Sequence, residues 1–331
     1  MLLQKQTLSA EARRHFNLAA DPFANDIRET SDVFISQDIR FVRETLWQHA
    51  KHGGLLALIG ESGSGKSTVL ADFKDRLQRE GRDVLIIEPS VLYMEENDAK
   101  GKTLKSAALV EAILATLAPG LPLKRDTEAR DRQMRQLLTA AHRAGQRHLL
   151  IIEEAHCLPL PTLKHLKRFA ELKDGLHPLL SILLIGQPEL KSRLAVNNAA
   201  VREVAQRCDL VELPPLDGML GEYLKFKFAR VGVELGKVIN SDGIEALKER
   251  LNFSRRRNSP HAHIRSLPPE GAGAALGRPG GGAGNSKSAQ TAQQWVSLAY
   301  PLAVANALTA AMNLTAALGA PFVDAAIIKD I

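Results

Sequence analysis

Gly60-Glu61-Ser62-Gly63-Ser64-Gly65-Lys66-Ser67-Thr68 is the stretch of this chain best suited to chemistry. Its glycines, single lysine and hydroxyls fit a phosphate-cradling loop at every fixed position. Glycine lets the backbone wrap a polyphosphate so that several N–H groups converge on one anion. The loop runs into a helix start, where unpaired donors and the dipole favour negative charge. Lys66 is expected to reach the β- and γ-phosphates, and the Ser67 hydroxyl to ligate Mg²⁺. The context agrees, because the apolar run Leu55–Ile59 feeds the loop and helical periodicity follows from Val69. The expected ligand is a nucleoside triphosphate.

Two further polar positions stand at the ends of apolar runs. His148–Ile152 ends in Glu153-Glu154. Beside a bound nucleotide, Glu153 would hold Mg²⁺ and Glu154 would polarise an attacking water as general base. Leu183-Leu184-Ile185-Gly186-Gln187 sets an amide at the end of the next run, where Gln187 would contact the γ-phosphate or orient water, unless it marks a plain turn. His156-Cys157 and His261-Ala262-His263 lack the spacing of a structural zinc site, so no metal beyond Mg²⁺ is expected.

The elements that must position these groups alternate along the chain. Apolar runs at Leu55–Ile59, Val84–Glu88, His148–Ile152, Leu180–Ile185 and Asp209–Leu213 are separated by helical stretches at Val69–Arg79, Lys105–Leu117, Glu128–Ala144 and Leu163–Lys173. Such alternation specifies an α/β domain with a parallel sheet covered on both faces. A helix over Gln37–Ala50 precedes it. Beyond Pro214-Pro215-Leu216 the pattern is helical, at Asp217–Arg230, Ser241–Leu251, Leu302–Leu318 and Val323–Lys329. The divisions expected are an N-terminal extension over 1–52, a nucleotide-binding core over 53–215 and a helical part over 216–331. Residues 254–295, dense in glycine, alanine and proline, read as a flexible insertion.

With 331 residues the chain can bury a real core, and a net charge of +6 admits a polyanionic partner or simple solubility. Two cysteines, Cys157 and Cys208, and an N-terminus without an apolar signal segment point to a reducing, cytoplasmic setting. Val296–Val323 carries no charge, but Pro301, Asn306, Asn313, Gly319 and Pro321 interrupt it. Val304, Leu308, Met312 and Leu318 fall near one helical face, and Asn306, Thr309 and Asn313 near another. An amphipathic helix is expected rather than a membrane span.

The phosphate loop, the paired acids, the amide and the Arg207 segment arrive in the order of AAA+ ATPases, followed by a helical tail, and the chain resembles the Mu B transposition protein and its relatives, including the TnsC and ExeA-type ATPases. The residues that carry this are Phe16–Phe23, Gly60–Thr68, Ile151–His156, Leu184–Leu190 and Gln206–Leu216. Pro161–Phe169 and Asn97–Lys105 point to the transposition branch. The resemblance implies a three-layer P-loop AAA+ sandwich, with a five-stranded parallel sheet in order 5-1-4-3-2 and a C-terminal helical lid. It implies ATP and Mg²⁺ as ligands and an ATPase that is DNA-stimulated and oligomer-dependent. It further implies a filament or ring on double-stranded DNA that selects target sites and stimulates a transposase, in the cytoplasm of a bacterial host and without a membrane.

By the same resemblance Arg207 would act as an arginine finger in a neighbouring subunit, the alternative being a surface arginine. Lys100, Lys102 and Lys105 would lie on a loop facing DNA, and Lys164, Lys167 and Arg168 would share a helix face there. Each cluster is otherwise a solvated basic face. The chain departs from the family in three places. Glu153 stands where Asp is usual, the insertion interrupts the lid, and the region before Gly60 is too short for an added DNA-binding domain. Two rival readings remain, a secretion-associated ATPase of the ExeA type and a nucleotide-gated scaffold with little hydrolysis.

Overall fold

The computed structural model describes residues 4–24, 27–81, 83–90, 104–195, 201–255 and 294–331. In chain order its helices are α1 (Ala10–His15), α2 (Gln37–His52), α3 (Lys66–Glu80), α4 (Ser106–Leu117), α5 (Thr127–Arg143), α6 (Leu160–Ala170), α7 (Pro188–Arg193), α8 (Arg202–Ala205), α9 (Leu220–Arg230), α10 (Ser241–Leu251), α11 (Pro301–Leu318) and α12 (Ala325–Asp330). The strands are β1 (Gly54–Ile59), β2 (Val84–Ile87), β3 (Arg147–Ile152), β4 (Lys173–Asp174), β5 (His177–Pro178), β6 (Ser181–Gly186), β7 (Cys208–Glu212), β8 (Asn252–Arg255) and β9 (Gln294–Ser297). The chain divides into two compact units, one of residues 26–214 and one of 1–25 with 215–331. The break thus falls inside the stretch 1–52 read as one extension.

Unit 26–214 is a five-stranded parallel sheet in the order β2-β3-β6-β1-β7. These labels differ from the expected 5-1-4-3-2 because the small hairpin β4–β5, not foreseen from sequence, takes two places in the count. Side chains alternate across a strand, so each apolar run supplies two faces. Leu55, Ala57 and Ile59 of β1 pack with Leu109, Ile113 and Leu163 in the layer of α4, α5 and α6. Leu56 and Leu58 pack with Leu46, Trp47 and Phe73 in the layer of α2 and α3. Arg43 of α2 and the buried Asp72 of α3 add an ion pair at 2.7 Å between the two outer helices.

α2 is capped by the Ser36 hydroxyl, which accepts from the Ile39 N–H at 3.2 Å, and it ends at Gly53 with φ +82°. A Cβ on Gly53 would lie 2.5 Å from the Pro178 ring, so the turn into β1 also requires glycine for space. One turn earlier, His49 donates from Nε2 to the Ile182 carbonyl at 2.9 Å. Burial pushes its pKa down to about 4, against that carbonyl and Asp209, which raise it. The folded value lies below that of the unfolded chain, so the unfolded state binds more protons between about pH 4 and 6.5. The contribution to stability is full above about pH 6.5 and is lost as pH falls toward 4, up to about 3 kcal/mol. Urea midpoints measured at pH 7 and pH 5 should therefore fall more for the wild type than for His49→Gln, which keeps the donor and does not titrate.

In the unit of 1–25 and 215–331, α11 buries Val304, Leu308 and Met312 as expected, whereas Leu318, expected near the same face, is exposed at the end of the helix. Its second, polar face is not left to solvent. Asn306 and Thr309 are buried, and Asn313 bonds the segment before α1, accepting from the Ser9 N–H at 2.9 Å and donating to the Thr7 carbonyl at 3.0 Å. Length and composition alone would let α11 cross a membrane, but its asparagines serve tertiary hydrogen bonds. The edges of the expected insertion also differ. Residues 252–255 and 294–297 form an antiparallel ladder, with Asn252 opposite Ser297 and Arg255 opposite Gln294. The tract 256–293 between them lies outside the described residues.

Candidate functional site

Register places the site. Ile59, the last residue of β1, is level with Gly186 of β6 and Glu212 of β7, and Ile152 of β3 is level with Leu184. The loop after β1, the acids after β3 and the amide after β6 therefore emerge together at the carboxyl edge of the sheet. Binding crevices form at this edge in open α/β sheets.

The loop from Gly60 to Thr68 is tied down at both ends. The Gly60 N–H donates to the Gly186 carbonyl at 3.2 Å, and the Ser64 N–H to the Glu61 carbonyl at 3.1 Å. A Cβ on Gly60 would collide with the Ser64 side chain. Gly63 and Gly65 stand at φ +75° and +95°, which disfavour any other residue. Gly65 is the N-cap of α3 and offers no side-chain acceptor, so the first amides of a 15-residue helix stay open to an anion. Lys66 Nζ lies across the loop, donating to the carbonyls of Gly60 at 2.7 Å and Glu61 at 2.8 Å. Desolvation pushes its pKa below the usual lysine range, against the attraction of Glu154, Glu61 and Glu189. A half-desolvated cation held only by carbonyls is set to gain from a phosphate. Among the described residues the buried Ser64 hydroxyl has no hydrogen-bond partner, which makes it a further polar atom suited to a ligand.

Glu153 and Glu154 follow β3 directly. Glu153 is exposed enough to reach a ligand, with Lys74 of α3 at 3.8 Å; Lys74 also pairs with Glu88. Hard oxygen donors on Ser67 and Glu153 suit Mg²⁺, and Ser67 is exposed in the first turn of α3. Among the described residues no group of three His, Cys, Asp or Glu is placed to hold a metal ion by itself. Glu154 has φ +49°, in the left-handed region, which costs a non-glycine residue roughly 1–2 kcal/mol. Strain of this kind concentrates where a side chain must be aimed. Sequence reading passed over His156 except as a metal ligand. The structure places its ring between the two polar positions, with Nε2 3.5 Å from Glu154 Oε2 and Nδ1 3.4 Å from the Gln187 N–H nitrogen.

Residues 48–194 match the AAA domain family. The matched stretch runs from the end of α2 to α7 and so contains the loop, both acids and Gln187. Over 186 residues the chain is 29% identical to the general secretion pathway protein A of Aeromonas hydrophila, covering 54% of this chain and 30% of that protein. Cdc6p from Pyrobaculum aerophilum matches with TM-score 0.44 and 15% identity, over 70% of this chain and 58% of its own. The structure of Drosophila ORC bound to DNA matches with TM-score 0.53 and 10% identity, over 100% of this chain and 68% of its own. The last of these shows a shared fold. The chain therefore spans less than a third of its curated relative and under two thirds of the Cdc6p chain. An AAA domain is a nucleotide-binding ATPase module, and the loop geometry here has what that binding needs.

The remaining residues singled out from sequence are placed less simply. Arg207 pairs with Glu171 of the segment after α6. Lys167 is held by Glu203 at 2.6 Å and lies 4.0 Å from Glu171. The Lys167 ammonium, hydrogen-bonded to Glu203, holds that carboxyl below the usual glutamate range. Lys164, Lys167, Arg168, Glu171 and Glu203 thus line one surface cavity of about 420 Å³, of mixed charge rather than the purely basic face expected. Lys164 and Arg168 are exposed, as is Lys105 just before α4. Lys100 and Lys102 lie outside the described residues. The two cysteines are not joined in a disulfide, and burial pushes the Cys208 thiol up to about 12, which makes it a poor nucleophile.

Proposed function

We propose that this protein is an ATP-dependent, DNA-binding AAA+ ATPase that assembles on duplex DNA and acts in DNA transposition, selecting target sites and stimulating a transposase as Mu B-like proteins do. The phosphates of ATP rest on Gly60–Thr68 with Lys66 against them, and Ser67 and Glu153 hold Mg²⁺. Glu154 polarises the attacking water and Gln187 orients it or reads the γ-phosphate. Arg207 serves a neighbouring subunit, so docking of that subunit must first release it from Glu171. The helices after Pro215 act as the lid, and the setting is the cytoplasm of a bacterial host.

The observation that carries the DNA reading is a buried hydrogen bond. Thr162 Oγ1 of α6 donates to the Leu104 carbonyl at 2.8 Å. It ties the stretch that carries Lys105 to the helix that carries Lys164 and Arg168, joining two basic segments far apart in sequence. Lysines and an arginine without an aromatic platform suit phosphate contact, which positions a protein on DNA without reading bases.

A second reading, a secretion-associated ATPase, is favoured by the 29% identity to general secretion pathway protein A over 186 residues. A strand-transfer reaction separates the two. Added to a Mu-type transposase with donor and target DNA, the protein is expected to raise intermolecular strand transfer only with ATP. An absence of stimulation together with an absence of DNA binding would move the assignment to the secretion class.

A further inference from the structure

We infer that His156 is a positioning residue that locks the general base Glu154 and the amide Gln187 into one hydrogen-bonded unit. The inference rests on the ATPase reading above. The Gln187 backbone N–H can only donate, so Nδ1 of His156, 3.4 Å from that nitrogen, carries the lone pair. In the neutral ring the proton then sits on Nε2. Nε2 lies 3.5 Å from Glu154 Oε2, at the outer limit of a hydrogen bond, and 3.4 Å from the end of the Gln187 amide. A protonated Nε2 repels an NH₂ group, so the amide must turn its oxygen toward the ring; oxygen and nitrogen of an amide are assigned by such partners. One imidazole N–H is thereby shared between the Glu154 carboxylate and the Gln187 side-chain oxygen, and Gln187 presents its NH₂ group outward.

The backbone that carries the ring is held from two sides. Arg193 of α7 donates to the main-chain carbonyls of His156 and Leu158. The His156 amide nitrogen lies so close to Gly186 that a Cβ there would approach it to 3.3 Å, and Leu190 to 2.9 Å. Glycine at 186 therefore lets the two segments meet. The strained backbone at Glu154, the clamped carbonyl at His156 and the glycine at 186 all fix the same short distance between acid and amide. Glu154 in turn acts electrostatically on Lys66 across the site. His156 thus links the two groups that would face the γ-phosphate without itself touching it.

The test uses the full-length protein with Mg²⁺-ATP and duplex DNA, with a fluorescent ATP analogue for affinity. His156→Ala should lower kcat by about 10- to 100-fold, the cost of misplacing a catalytic group by about an ångström. Nucleotide affinity should stay within about 2-fold. His156→Gln, whose Nε2 can reproduce the donor to Glu154, should recover most of kcat, and His156→Asn, which reaches only the Nδ1 position, should not. The double variant with Gln187→Ala should lose no more than the worse single variant, as expected of groups acting as a unit. Turnover of His156→Ala within 2-fold of wild type would overturn the inference. So would a parallel loss of nucleotide affinity, equal activities for the Gln and Asn variants, or additive losses in the double variant. No turnover by the wild type, despite nucleotide binding, would instead sink the ATPase reading and this inference with it.

Discussion

Glu154→Gln is expected to lower ATP turnover by about 10²- to 10⁴-fold, the range a positioned general base contributes, with ATP affinity held within a few-fold. The carboxylate is exposed at the carboxyl edge of the sheet, on a residue whose backbone is forced into the left-handed region at φ +49°. Glutamine keeps the size and hydrogen-bonding reach of that side chain but cannot accept a proton from water. Binding depends on the loop and Lys66, which the change leaves in place. If ATP promotes assembly on DNA and hydrolysis reverses it, this variant should accumulate on DNA and dissociate slowly. Single-turnover kinetics and the dissociation rate after ATP dilution check both parts. Unchanged turnover would remove Glu154 from the chemistry.

Lys66→Ala is expected to weaken ATP binding by about 10- to 100-fold, since a hydrogen bond to a charged group contributes roughly 1.5–3 kcal/mol. Turnover should fall below detection, because the same ammonium would stabilise charge on the transferring phosphoryl group. The fold should survive. Among the described residues Lys66 Nζ bonds only the carbonyls of its own loop, Gly60 and Glu61, and removing it relieves a desolvated cation. Calorimetric titration with ATP, beside a thermal melt, distinguishes a lost ligand contact from a lost fold. An affinity equal to wild type would contradict the placement of the phosphates on Gly60–Thr68.

The central strands β1, β3 and β6 were legible in the sequence because a strand buried on both faces leaves an unbroken apolar run, while the edge strands β2 and β7 were read from shorter, less buried runs. All five runs became sheet strands within a residue or two of their expected limits, from Leu55–Ile59 to Asp209–Leu213. The helix Ser241–Leu251 was read at both ends, where Asn240 caps by accepting from the Gly243 N–H at 2.7 Å. What sequence missed was short or tertiary. The hairpin β4–β5 has two residues per strand, too few for any periodicity. The ladder β8–β9 joins segments separated by the whole glycine-rich tract, which no local pattern can foresee.

Among site residues, the loop was legible from its fixed spacing, whereas pairing decided the rest. Lys167 and Arg207 read as free cations until Glu203 and Glu171 were found beside them. The one signal for His156 was its place two residues after Glu154, which has no meaning until Gln187 arrives from β6. Asn306 and Asn313 read only as a second helical face because a one-dimensional helical projection cannot see the segment around Gln6 and Ser9 that bonds them.

The most direct test of the central claim is co-sedimentation of the protein with duplex DNA, with and without ATP, across a series of salt concentrations. The account predicts assembly that requires ATP, is lost in Lys66→Ala, and weakens steeply as salt rises through counterion release. Lys164→Ala with Arg168→Ala should make that salt dependence shallower by about two phosphate contacts. Sound ATP binding without any ATP-dependent association with DNA would contradict it.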